Sequence, residues 1–244
     1  MRRAACLVLV AACGSSGSKA APDAPAVTVD APADVATDAA AGFGDLSGMC
    51  GVLGVMDLTG ASPELVRDTF TFARGYVDPD DRPLLTPGGQ RLAATPNAGG
   101  SSGLSEIFAY EQLARCEGAT LLHTETEISY DGTGKITDME VELDGHKIGV
   151  SVTRAQTYPL GQTYPLDTAT MLISRKLTDI QASSAHVSAQ DHWDKQILAV
   201  LAWDGATADT VAQAWGSLAP SITADTIVVV TTTDGDDTFI YTNM

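Results

Sequence analysis

Basic residues are few: 14 Lys and Arg stand against 31 Asp and Glu, a formal net charge of −17. Proteins that neutralise phosphates display a basic stripe, and these scattered cations form none, so nucleic acid is repelled overall and is not expected as a partner. Cysteine is scarce as well, with four in the whole chain. None lies in a Cys-x-x-Cys pair or beside a His-rich spacing, which removes the usual zinc signatures. There is no Gly-x-Ser-x-Gly elbow, and the glycines at 99–103 are not followed by Lys-Ser/Thr, so serine hydrolysis and a P-loop find no support. Near the amino end the apolar run from Ala4 to Ala12 is far below the roughly 20 residues that a bilayer-spanning helix needs.

That short run has its own meaning. Arg2 and Arg3 precede it and small residues follow it, the layout of a secretion signal over residues 1–12. Val10-Ala11-Ala12-Cys13 resembles the lipobox of bacterial lipoproteins, which implies an acylated Cys13 at the new amino end and a membrane partner reached through that lipid anchor. In that family an Asp after the cysteine retains the protein at the inner membrane. Gly14 stands there instead, so the resemblance implies the outer membrane.

Residues 13–46 consist almost wholly of Ala, Pro, Asp, Ser, Val and Thr. They hold too little apolar surface to offset the entropy of ordering and read as a disordered tether. A single α/β domain is expected over 47–244, with its core at 104–244. Cys50 and Cys116 then lie in an oxidising compartment. A bridge between them would close a loop of about 65 residues and contribute roughly 4 kcal/mol in the chain-entropy picture. Two buried thiols are the other reading.

Within the domain, Ser62-Pro63-Glu64 has the form of a helix start, and ELVRDTFTFARGY is expected to be helical. Residues 77–103 carry so many Pro and Gly that they are expected to be loop. LSEIFAYEQLAR is an amphipathic helix. TLLHTETEISY, KITDMEVEL and HKIGVSVTRA follow as three strands, the last two joined by the hairpin signal Asp144-Gly145. A helix over 167–183, the strand KQILAVLAW, a helix over 206–219 and the strand DTIVVVTTT complete the order αβββαβαβ in a mixed sheet. TFIYT at the end reads as the returning arm of a hairpin. The acids and imidazoles His186, Asp191, His192 and Asp194 read as a polar loop.

A helix, a three-strand meander, a crossover helix and a further strand is similar to the core of the PD-(D/E)XK nuclease-like superfamily, over residues 104–203. In that superfamily an acid on the second strand and an acid-x-Lys on the third bind a divalent metal, with a Glu added from the first helix. Asp138 occupies the second-strand position and Glu106 the helix position, but the third strand offers Ser151-Val152-Thr153.

Two functional expectations follow. The first is an outer-membrane lipoprotein whose domain binds or supports a protein partner of unknown kind, without catalysis or cofactor. The second is a metal-dependent hydrolase of phosphodiesters, in which Lys176 replaces the missing lysine and Asp138 holds Mg²⁺ with Glu106 beside it. Asp138, Glu140 and Glu142 share one strand face by period two. That face reads as the solvated side of a sheet, with a metal cluster as the alternative. Arg154, at the tip of its strand, is expected to pair with one of the many acids.

Overall fold

The structure, a computed structural model, describes residues 40–96 and 102–242. The signal segment, Cys13, the tether up to residue 39 and the glycines at 99–100 lie outside the described residues. The elements run β1 Asp45–Gly48, α1 Val55–Thr59, β2 Glu64–Phe72, α2 Pro87–Ala94, α3 Gly103–Gln112, β3 Thr120–Thr124, β4 Met139–Leu143 and β5 His146–Ala155, then α4 Leu166–Ser184, β6 Lys195–Ala202, α5 Gly205–Gly216, α6 Pro220–Thr223, β7 Ile227–Gly235 and α7 Thr238–Thr242. The chain is thus α/β, and its seven strands form one mixed sheet in the order β1-β2-β7-β6-β5-β4-β3. The four strands β2, β7, β6 and β5 run parallel to one another, whereas β1 at one edge and β4 and β3 at the other pair antiparallel.

Helices cover both faces of the sheet, which is why β6 and β7 read as unbroken apolar runs rather than alternating ones. Ile197 and Val229 face α3, packing with Tyr110 and Leu113, while Leu198, Val200, Val228 and Val230 face α4 and α5. The β4–β5 connection is a two-residue turn with Asp144 and Gly145 both at positive φ. A type I′ turn requires that geometry, and Asp-Gly supplies it at least cost.

Three expectations are corrected. Residues 64–72 form a strand rather than a helix: Val66, Asp68, Phe70 and Phe72 are buried in strict alternation, and Asp68 in that series breaks the apolar pattern that would reveal the period. Residues 77–103 are not all loop. Thr86 caps α2 by accepting from the Gly89 N–H at 3.2 Å, with Pro87 in the first turn. The glycines that hide this helix are there for packing, because a Cβ on Gly88 would overlap the Tyr110 ring and one on Gly89 the Glu111 carboxylate of α3. TFIYT is the short helix α7, not a strand, since Phe239, Ile240 and Tyr241 are consecutive and all buried.

The folded part also takes in residues before 47. Phe43 is buried among Phe72, Tyr76, Phe108 and Phe239, with ring centroids 5.3 to 6.3 Å away. Burying each such ring contributes about 2–3 kcal/mol. The guanidinium of Arg115 donates to the carbonyls of Ala40 (2.8 Å), Phe43 (2.9 Å) and Gly44 (2.8 Å) and lies over the Phe70 ring. Next to it, Cys116 is joined to Cys50 in a disulfide. No helix among the described residues is long and apolar enough to cross a membrane.

Candidate functional site

Helix α3 carries Glu106 in its first turn, where a carboxylate complements the helix dipole. Its Oε1 accepts from the Ser102 hydroxyl at 2.6 Å. Glu106 lines a cavity of about 220 Å³, with Asp78, Glu125 and Asp138 as the other acids and Leu104 and Ile107 in its wall. Two of the three residues expected from sequence therefore share one cavity. The third, Lys176 on α4, is not among the residues lining it; its Nζ donates to the Val152 carbonyl at 2.9 Å.

Asp138 immediately precedes β4 and its N–H donates to the Val150 carbonyl at 3.1 Å. Its Oδ2 accepts two hydrogen bonds from β5, from the Ser151 hydroxyl at 3.0 Å and the Val152 N–H at 2.6 Å. Burial pushes the Asp138 carboxyl above its ordinary value, while the nearby Lys176 ammonium and these hydrogen bonds pull it back. The carboxylate thus ties the entrance of β4 to the middle of β5. Arg154, farther along β5, donates to the Ile240 carbonyl at 3.0 Å and so anchors α7.

The acidic face of β4 is not the solvated side of the sheet. Glu142 is exposed, but Glu140 has no exposed surface at all. Glu140 Oε2 lies 2.6 Å from His123 Nδ1 on β3, and Asp191 Oδ1, from the loop before β6, lies 3.9 Å from the same nitrogen. These are the only three described residues whose ligand-type atoms all fall within 4.8 Å of one another. Glu106, Glu125 and Asp138 form no such set.

Asp191 is 4% exposed, and burial works to raise its carboxyl. Hydrogen bonds from the Ser129 N–H and hydroxyl and from the Gln190 amide, with a smaller contribution from His123, prevail and hold it below the usual range. Its neighbours in sequence scatter: His186 Nδ1 meets the Ala182 carbonyl at 2.6 Å, His192 is exposed, and Asp194 pairs with His146 at 3.0 Å. Sequence reasoning singled out Glu140 and Asp191 separately and missed His123. Period two on β4 placed Glu140, but nothing local announces that a residue 51 positions away completes the group.

The chain is similar to the AAC-rich mRNA clone AAC4 protein of Dictyostelium discoideum, with 40% identity over 153 residues. The matched region is 60% of this chain and spans about a fifth (22%) of that protein's length. No family model and no solved structure matches the chain.

Proposed function

We propose that the protein is an exported lipoprotein, held at the outer membrane through Cys13, whose PD-(D/E)XK-like domain binds a partner without catalysing. The run α3, β3-β4-β5 meander, α4 and β6 parallel to β5 supports that fold reading. The observation that carries the absence of catalysis is the engagement of Asp138. Where the superfamily's third strand supplies an acid and a lysine, β5 supplies two donors that saturate one oxygen of Asp138. A metal at that position lacks its second carboxylate from β5, and a hard cation such as Mg²⁺ needs clustered oxygen ligands. The Cys50–Cys116 disulfide supports export, because such bridges persist in oxidising compartments.

A second reading has one observation in its favour: Glu106, Glu125 and Asp138 line the same cavity, as a Mg²⁺-dependent phosphodiesterase would require. Calorimetric titration of Mg²⁺ and Mn²⁺ into the chain separates the two. The binding-only reading expects no heat that Asp138→Ala abolishes. A metal-binding heat lost in Asp138→Ala overturns it in favour of hydrolysis, with Glu106 and Lys176 next to test. For the anchor, Cys13→Ala expressed in a bacterial host is expected to lose palmitate labelling and leave the membrane fraction; labelling that persists in the variant refutes the assignment.

A further inference from the structure

We propose that His123, Glu140 and Asp191 form a binding site for a divalent transition-metal ion of the Zn²⁺ type, separate from the Glu106–Asp138 cavity. One imidazole nitrogen and two carboxylate oxygens are a borderline donor set that suits Zn²⁺ better than the harder Mg²⁺. Bonds of about 2.0–2.2 Å in a tetrahedron put ligand atoms about 3.3–3.6 Å apart. The distances of 2.6 Å (His123 to Glu140) and 3.9 Å (His123 to Asp191) straddle that range, so a shift of several tenths of an ångström in the half-exposed imidazole accommodates the ion.

The burial of the two carboxylates points the same way. Uncompensated charge out of water is costly, and such groups are normally paired or bound to metal. Glu140 Oε1 is buried yet accepts no hydrogen bond from any described residue. Lys147 Nζ forms an ion pair with it at 3.3 Å and also donates to the Gln190 carbonyl at 2.8 Å, so a bound metal would add to this pairing and supply the close oxygen contact that the lysine does not. Asp191 is oriented as metal-binding carboxylates are: Oδ2 takes the Ser129 N–H at 2.8 Å, leaving Oδ1 to face His123. The side chain of His123 is 35% exposed, so the site opens to solvent on one side and leaves a fourth position for water.

The three ligands come from β3, β4 and the loop ahead of β6, so the ion would fasten the edge of the sheet to that loop. The competing reading is a metal-free cluster in which His123 only hydrogen-bonds Glu140. Calorimetry and equilibrium dialysis of Zn²⁺ against the purified chain, with His123→Gln, Glu140→Gln and Asp138→Ala compared, distinguish these. One ion per chain is expected, with binding weakened at least tenfold in His123→Gln and Glu140→Gln and unchanged in Asp138→Ala. Circular dichroism checks that each variant is folded, and His123→Gln, altered at a half-exposed position, keeps the test open if Glu140→Gln fails that check. Co²⁺ is expected to give tetrahedral d–d bands that His123→Gln abolishes. Absence of binding, or binding indifferent to His123→Gln, overturns the proposal and leaves only the His123–Glu140 hydrogen bond in its place; loss in Asp138→Ala alone overturns it too, by moving the ion to the cavity.

Discussion

Asp68 lies in the middle of β2 with 3% exposure and accepts from Gln112 Nε2 at 2.7 Å. Burial pushes its carboxyl up to about 7, against the opposing hydrogen bonds from Thr231 and Gln112. The folded-state value is therefore above the unfolded one, so the folded chain holds this proton more tightly. Its contribution is fully present below about pH 4 and is lost as pH rises toward 7, a swing of about 4 kcal/mol. Asp68→Asn cannot ionise, and Gln112 Oε1, unpartnered among the described residues, is available to receive the new amide. The stability of Asp68→Asn relative to the natural chain should rise between pH 5 and pH 8, read from urea midpoints; an unchanged gap would show that Asp68 ionises freely. Asp68, Glu111 and Glu140 are all fully or nearly fully buried. Charge ordinarily marks the surface, so a sequence reading puts such residues outside and loses both the strand at 64–72 and the pairing of Glu140 with His123.

At the scale of elements, what was legible was what local chemistry dictates. The apolar runs of β6 and β7, the long helix α4 and the Asp144-Gly145 turn each carry their own signal, and the order αβββαβαβ is found from residue 103 onward with the short helices α6 and α7 added to it. The elements lost were those shaped by a distant neighbour. Helix α2 is the clearest case, since its glycines answer to Tyr110 and Glu111 on α3 rather than to helix propensity. On an exposed helix, Gly→Ala gains about 1 kcal/mol. Here Gly89→Ala should instead destabilise by about 1–3 kcal/mol, because the added methyl must displace a buried carboxylate. Chemical denaturation gives the sign directly, and a stabilised variant would mean that α2 stands farther from α3 than described. Helix α7 is a similar case, for its three consecutive buried side chains become apolar surface only once the aromatic cluster around Phe108 exists.

Taken as a whole, the molecule ends its sheet at one side with β1, a four-residue strand, and has Arg115 and Cys116 side by side behind it. That pairing has a mechanical consequence. A load applied at the amino end first strains the Arg115 clasp on Ala40, Phe43 and Gly44 and then peels β1 from β2, while the bridge at Cys50 bears the force beyond that point. Cys50 lies ten positions beyond Ala40, so under oxidising conditions the yield is limited to about 35 Å of extended chain. Single-molecule pulling from the amino end should show that short first extension and then a stop, with the stop abolished by Cys50→Ser. Behaviour of that kind is a strain limiter: the amino end can give and recoil under drag while the loop closed between Cys50 and Cys116, with β2 inside it, stays unloaded.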